Sequence, residues 1–542
     1  AGQYERPETL VPDVPDDLRR LCEALLHSDP VARATDAEIL DCVGEGSHAV
    51  DAIGTAAPLT SLLESVPLVG REAELAALEA ALAAVSTDGL RVVALHGRSG
   101  TGKSAIVQQF LQTCRADADV LVLAGRCYEQ ESVPFKAIDT LVDALTRRLA
   151  RLDDDIVRAL LPDDIEAAAR VFPVLRRVPA IEAAVDVGLQ VPEPREVRRR
   201  AFHALQALLV TIGHEMPIVI AIDDLQWGDV DSAELLLSLF GTPDRPPPRA
   251  LVLVAFRSEY RTTSACLQHL LTALADRARA AYLAESVIDL AVPPLGVDAA
   301  VALATALLGP AARPATVQRI ATESGGNPFF IGELARYTLE QPDWSSTTGR
   351  GFDLEDVLAR RIARLPAPAR ALLEVVAIAG QPVSNRHWRD AVDAATRGPG
   401  VLAQLRQERL IRSTGVSSDD EVEAYHDRIR ETVMARLDPD VRTTWHRRLG
   451  DALEQAGDAD AETIAVHFVR GGLTERAWPH YRDAARGAAR ALAFDRAATL
   501  FEEALTHHVG PSAERAELLL ALGDARANSG RGRPAGEAFE AA

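Results

Sequence analysis

The chain has 542 residues, with 58 basic against 79 acidic side chains and a formal net charge of −21. Such a field repels polyanions and excludes nonspecific nucleic-acid or anionic-membrane binding by the chain as a whole. An apolar content of 47% with 25% charged residues excludes a disordered chain, and the length accommodates three or four domains of about 150 residues each. The most apolar stretch, 290–309, contains Pro293, Pro294 and Asp298, so neither a transmembrane segment nor a signal peptide is read. Cysteines at 22, 42, 114, 127 and 266 form no CxxC pair or disulfide framework, which points to reduced thiols and a cytoplasmic location. With no initiator methionine and an apolar helical pattern at its end, the sequence reads as a piece of something longer.

Residues 16–43 put Leu18, Leu21, Leu25 and Leu26 on one helical face, break at Ser28-Asp29-Pro30, and resume in a short helix capped by Thr35 and Asp36. The pattern suits any small helical cap. It also resembles the last two helices of a protein kinase C-lobe, whose ending DPxxRxT stands here as Asp29 to Thr35. In kinases the arginine matched by Arg33 pairs with a glutamate of the activation segment. Nothing upstream supplies that glutamate, and the sequence holds no HRD or DFG triplet, so no kinase activity is encoded here. Residues 44–66, rich in Gly, Ala and Ser, read as a linker.

From Leu68 to about Leu295, five apolar runs at 92–95, 120–123, 218–222, 251–255 and 287–290 alternate with helical patterns. That alternation predicts a doubly wound parallel sheet covered on both faces. The stretch 150–215 is a long helical excursion whose charged run at 195–200 reads as a solvated helix face, because Glu193 and Glu196 interleave with the arginines. Beyond 296 the pattern is helical except for a β-like stretch near 410–416. From about 441, Ala-rich amphipathic helices recur. Ala485, Ala497, Phe501 and Ala504 match Gly523, Ala535, Phe539 and Ala542 at a spacing of 38 residues, a tetratricopeptide-like unit lengthened by the HHVGPS loop.

The strongest chemical signal is GRSGTGKS: Gly97, Arg98, Ser99, Gly100, Thr101, Gly102, Lys103 and Ser104, set between a strand and a helix that continues at Ala105. The glycines let backbone N–H groups turn inward on phosphate oxygens, and the helix adds its positive end. Lys103 would reach the β- and γ-phosphates and the Ser104 hydroxyl would ligate Mg2+. Of the 58 basic residues only Lys103 and Lys136 are lysines. A compact ammonium fits where a planar guanidinium would not; Lys136 has no comparable site and reads as an ordinary residue. The second signal is the apolar strand 218–222 ending in Asp223 and Asp224, with the phosphate loop expected on a neighbouring strand. Asp223 is the candidate for the Mg2+ shell and Asp224 for orienting the attacking water. The next strand runs into Arg257, either a reporter of the γ-phosphate or an ordinary surface arginine.

These residues, with VPLVGRE at 66–72, DDLQW at 223–227, SGGNPFF at 324–330 and YHDRIRE at 425–431, resemble the STAND class of signalling P-loop ATPases. GRCYEQESVPFKAID at 125–139 resembles the version fused behind bacterial serine/threonine kinases. The resemblance implies an AAA-type nucleotide-binding domain at 67–295 with its helical insertion at 150–215, a helical lid at 296–355, a winged helix at 356–440 and truncated repeats at 441–542. The kinase C-lobe remnant would occupy 1–45 and the linker 46–66. It implies that Val69, Gly70 and Arg71 lie along the adenine, that Asn327 and Pro328 close over base and ribose, and that His426 touches the β-phosphate of ADP. The implied activity is a slow ATP/ADP switch, with a serine/threonine kinase module, attached or separate, as partner. A protein or peptide ligand on the repeats and a nucleotide-dependent homo-oligomer are the other expected partners.

Between Ala359 and Arg412 there are 10 arginines and four acids, a local +6. DNA contact is one reading of it, with Asn385 and Gln407 near recognition positions. Packing on the acidic ATPase core is preferred, so DNA is not expected as a partner. Two alternatives of other classes are a transcription regulator of the LuxR-like kind, with its DNA-binding domain outside this chain, and a peptide-binding scaffold with negligible turnover.

Overall fold

The computed structural model describes residues 68–542 apart from 118, 130–133, 186–192, 243–244, 280–285, 341–353 and 416. The kinase-like helices at 16–43 and the linker lie outside the described residues. Five strands form where the apolar runs predict them: β1 Arg91–Gly97, β2 Leu121–Arg126, β3 Ile218–Asp223, β4 Ala250–Arg257 and β5 Val287–Ala291. They pair in parallel in the order β2-β3-β4-β1-β5. Every residue of β4 is buried, as expected of a central strand covered on both faces. One face packs Leu78, Val85, Ile106 and Phe110; the other packs Leu141, Leu205, Leu236 and Leu267. Each such burial contributes about 1.5–3 kcal/mol.

The strand order corrects one expectation. The phosphate-loop strand β1 and the acid strand β3 are not neighbours, because β4 lies between them. The register sets Gly97 beside Arg257 and Arg126 beside Asp223. The chemistry-bearing residues therefore share the carboxyl edge of the sheet, where ligands sit in open α/β sheets, and the strand ending in Arg257 joins the two halves of the site.

The excursion between β2 and β3 folds as helices Asp154–Leu160, Ile165–Val171 and Pro179–Val185 leading into Pro194–Glu215. Its charged run is not uniformly solvated. Arg199 and Arg200 pair outward with Glu196, but Arg198 turns inward to Asp231 at 3.0 Å, since successive residues on a helix diverge by about 100°. Lys136 is not an ordinary surface residue either: it is buried at the start of helix Lys136–Leu149, with Nζ 3.5 Å from the Tyr128 carbonyl.

Past β5 come helices Val297–Leu308, Pro314–Glu323 and Pro328–Glu340, then Leu354–Arg364, Ala367–Ala379, Asn385–Ala391 and Pro399–Gln407. The last four accompany a three-stranded antiparallel sheet in the order β6-β8-β7, formed by Val383–Ser384, Glu421–Ala424 and Ile411–Ser413. Only the region of β7 is legible in sequence, where Leu410 and Ile411 give a β-like run; β6 is two residues long, and in β8 Val422 and Ala424 alternate with glutamates. Asn385 is no recognition residue: it is wholly buried, donating to Ser417 O at 2.7 Å and accepting from Trp388 Nε1 at 2.9 Å. Gln407 ends its helix exposed.

Six further helices follow: Pro439–Ala456, Ala461–Arg470, Thr474–Arg490, Phe494–His507, Ser512–Asn528 and Gly532–Ala541. Ala485, Ala497 and Ala504 are fully buried between them. A Cβ on Gly523 would stand 2.3 Å from the Phe539 ring, which is why glycine occupies that repeat position. Among the described residues no helix is long and apolar enough to cross a membrane.

Trp388 is the bulkiest fully buried side chain of the 354–436 block. Trp388→Ala is expected to destabilise the chain by about 3–5 kcal/mol through lost contacts and a residual cavity. The midpoint of a urea unfolding transition followed by far-UV circular dichroism checks this.

Candidate nucleotide site

The phosphate loop depends on two left-handed glycines, Gly100 at φ +82° and Gly102 at φ +95°, the second directly preceding helix Lys103–Ala116. At Gly97 the limit is space, because a Cβ would stand 2.5 Å from Val292 O. Lys103 is buried, its Nζ donating to Gly97 O at 2.9 Å and Arg98 O at 3.0 Å. Burial lowers its pKa, with Asp224 and Asp223 pulling the other way. The Thr101 hydroxyl donates to Arg98 O at 2.9 Å, while the Ser99 hydroxyl is buried with no partner among the described residues. Arg98 and Ala105 face outward, Arg98 lying 3.9 Å from Glu259.

The paired acids separate into two roles. Asp223 accepts from the Ser104 hydroxyl and from the Asp224 backbone at 3.0 Å; burial and the neighbouring Asp224 charge raise its pKa. Asp224 sits at φ +54°, an uncommon conformation for a non-glycine residue. Its Oδ2 takes Arg126 Nε at 3.0 Å and Nη2 at 2.8 Å, and its Oδ1 takes the Gln226 amide at 2.9 Å. Burial opposes ionisation there, but Arg126, Gln226 and Arg257 outweigh it and hold the carboxyl below its ordinary value. Sequence reasoning missed Arg126 and Gln226. Only register could have found Arg126, through its place beside Asp223 on the adjoining strand.

Arg257 is no surface arginine. It is buried, pairs with Asp427 and with Glu431 at 2.9 Å, and its backbone N–H donates to Gln226 Oε1 at 3.1 Å. Both acids lie on helix Asp427–Arg436, whose cap is His426. His426 Nδ1 accepts the Arg428 N–H at 3.1 Å, which leaves the ring proton on Nε2. The ring stacks on Phe329 at 3.9 Å between centroids and 14° between planes. Burial first, then Arg257, push its pKa down to about 3, with Arg126 and Lys103 acting in the same sense and Asp224 against.

Phe329 belongs to the segment that covers the loop. Asn327 Nδ2 donates to Ser99 O at 3.1 Å, the Phe329 N–H points to Gly100 O at 3.4 Å, and Pro328 faces Gly102. Gly326 makes the approach possible: at φ +73° its missing Cβ would fall 2.2 Å from Leu295 O. At the other end of the site Arg71 is buried, donating to Thr101 O at 2.9 Å and Pro293 O at 2.7 Å and pairing with Glu74. Its side chain is thus a clamp between the phosphate loop and the segment after β5. Val69 is half-buried next to Gly70, whose backbone lies against Ala299 on the first helix after β5. The structure therefore brings Lys103, Ser104, Asp223, Asp224, Arg257, Arg71, Asn327 and His426 together at one sheet edge, with Arg98 and Ala105 turned outward.

A glycine-shaped loop, a buried ammonium, an unpartnered serine hydroxyl and the adjoining oxygen donors of Ser104 and Asp223 fit a nucleoside triphosphate with Mg2+. Residues 67–254 match the AAA ATPase domain family. This part of the chain is accordingly a P-loop ATPase domain with the doubly wound sheet described above. An uncharacterized protein of Rhizobium meliloti (strain 1021) is 26% identical over 482 residues, 81% of this chain and 42% of that protein. A Pyrococcus horikoshii Signal Transduction ATPase with Numerous Domains (STAND) protein with a tetratricopeptide repeat sensor is 13% identical at a TM-score of 0.44, covering 88% of this chain and 65% of its own. The Aeropyrum pernix Orc1 protein in complex with DNA is 16% identical at a TM-score of 0.31, covering 70% and 96%. The chain thus spans less than half of the curated relative and under two thirds of the Pyrococcus chain.

A histidine held neutral in the fold but ordinary in the unfolded chain, near 6.5, stabilises fully above about pH 6.5 and loses that contribution as the pH falls toward its folded value of about 3. His426→Asn is therefore expected to flatten the acid-side loss of stability between about pH 6.5 and 4. Unfolding free energies measured across that range check it.

Proposed function

We propose that the chain is an ATP-binding, Mg2+-dependent signalling ATPase of the STAND kind, in which the nucleotide controls how the C-terminal blocks sit on the ATPase domain. One observation carries this reading: Arg257, at the end of the central strand, is ion-paired to Asp427 and Glu431 of the 354–436 block, and the adjoining His426 is stacked on Phe329 beside the phosphate loop. A group near the phosphates thus belongs at once to the site and to the contact that closes it. Ser104 and Asp223 would hold Mg2+, which would supply charge neutralisation at the transferred phosphate.

Within the chain, Lys103 supplies a fixed positive charge and the loop amides orient the phosphates. Asp224 is the base and Asp223, with Ser104, the metal-side pair. Arg126 and Gln226 occupy both oxygens of Asp224 and hold its pKa down, so in this arrangement the base is restrained and turnover is slow. His426, neutral and protonated on Nε2, offers a donor toward the β-phosphate. The helices and short sheet at 354–436 support the winged-helix reading, and the buried Asn385 supports its packing inward over DNA contact. The six helices from Pro439 serve as a site for a protein or peptide ligand. Nucleotide-dependent homo-oligomerisation and a serine/threonine kinase as the regulated module complete the reading; the kinase link rests on the resemblance at 16–43 and 125–139.

Lys103→Ala is expected to abolish MgATP binding in a fluorescent-nucleotide titration, and retained affinity overturns the ATPase reading. Asp224→Asn should bind MgATP normally while turnover falls by two or more orders of magnitude, roughly the general-base contribution. The double substitution Asp427→Asn, Glu431→Gln leaves a buried guanidinium unpaired, a loss of about 3–5 kcal/mol. Hydrogen exchange over 427–436 is expected to rise accordingly, with the sheet unchanged.

A further inference from the structure

A cleft of about 460 Å3 opens between helices Pro194–Glu215, Val230–Leu239 and Ala265–Arg279, and none of its lining residues belongs to the nucleotide site. Its walls carry Arg199, Arg245, Arg277 and His203, with neutral donors and acceptors from Gln206 and Ser238. The acid that reaches it, Glu234, is already ion-paired with Arg198. Arg245 and Arg277 face this concavity together with Arg199, whose charge is shared with Glu196, and like charges held on one concave wall favour an anion between them.

Each cation is presented by a different device. Arg277 is anchored across a helix end, its Nη1 2.9 Å from Leu237 O and 3.4 Å from Gly241 O. Exposed Arg199 is gripped by half-buried Glu196 through Nε and Nη2, and its Nη1 donates to His203 Nδ1 at 3.2 Å. His203 therefore carries its proton on Nε2. Arg245 closes a tight turn with Thr242 through two 2.9 Å backbone bonds, and its exposed side chain makes no hydrogen bond or ion pair with the described residues. A forked guanidinium matches phosphate oxygens bidentately, and the volume is that of a small-molecule site.

Glu234 also connects the cleft to the repeats. Its partner Arg198 bridges to Asp231 at 3.0 Å and lies over the Phe135, Phe202 and Phe494 rings. The Asp231 carboxylate accepts the Arg496 N–H at 2.9 Å and the Asp495 N–H at 3.5 Å, capping the repeat helix Phe494–His507 from the ATPase domain. We propose that this cleft binds a small phosphorylated effector, held chiefly by Arg245 and Arg277, and that its charge acts through Glu234 and Arg198 on the seat of the repeats. The regulatory half rests on the switch reading above; the binding half does not.

The test uses the full chain carrying Lys103→Ala, which disables the phosphate loop, titrated calorimetrically with inorganic pyrophosphate and with AMP. Saturable binding of at least one is expected, weakened about tenfold or more by adding Arg245→Glu. Arg245→Glu alone should leave MgATP affinity unchanged, which shows that the variant is folded. Absence of saturable binding to the Lys103→Ala chain, or equal affinity with Arg245→Glu, overturns the site. The probe that binds should alter hydrogen exchange over 494–507 in the Lys103→Ala chain and not in its Arg245→Glu derivative. Unaltered exchange overturns the coupling alone. MgATP binding that survives Lys103→Ala counts against the nucleotide reading and leaves the Arg245 comparison intact.

Discussion

A buried guanidinium must be given counter-charges, and the whole arrangement follows from where Arg257 finds them. The strand that carries it is buried over its full length and separates the phosphate-loop strand from the acid strand. Its partners Asp427 and Glu431 arrive 170 and 174 residues later in the chain. An unpaired charge there would cost several kcal/mol, so the carboxyl edge of the sheet is electrostatically complete only with the C-terminal block in place. A sheet edge built to meet an anion is thereby also the surface on which a distant part of the chain is seated.

From that pair a continuous polar chain runs through the site. Arg257 N–H meets the Gln226 side chain, the Gln226 amide meets Asp224, and Asp224 meets Arg126. Groups linked in this way in a low-dielectric interior polarise one another and respond together. A second chain, made of backbone contacts, runs from Arg71 through Thr101 to the Asn327 and Phe329 contacts on Ser99 and Gly100. The two meet where Phe329 stacks on His426. The loop is held from two directions, by Arg71 and by the segment after Gly326, and the second of these is backed by His426.

Much of this was legible in the sequence, for reasons tied to particular residues. The five strands show themselves as apolar runs because both faces of the sheet are buried, and the loop shows itself because its conformations demand Gly100 and Gly102. Asp223 and Asp224 stand out as charges ending an apolar strand. Asn327 and His426 could be picked out only by resemblance, since a single amide or imidazole carries no pattern. Strand order was not legible: nothing in an apolar run says that β4 inserts between β1 and β3. Arg126 and Arg198 were hidden by composition, each being one arginine in a chain that uses that residue almost everywhere, and Arg257 showed its place at a strand end but not its partners Asp427 and Glu431. Their roles depend on helical phase or strand register, which the sequence does not state. The strands β6 and β8 lack an apolar run, β6 having one apolar residue and β8 two separated by a glutamate.

The same composition has a practical side. The two lysines of the chain are both buried, Lys103 under the phosphate loop and Lys136 at the start of its helix. No side-chain amine therefore stands on the outside of the described protein, and lysine acylation, acetylation or ubiquitin transfer finds no ready acceptor among its side chains. An amine-selective reagent becomes a narrow instrument here: side-chain labelling reports the opening of one of two interior positions, and one of those is the ammonium enclosed by the glycine-rich loop.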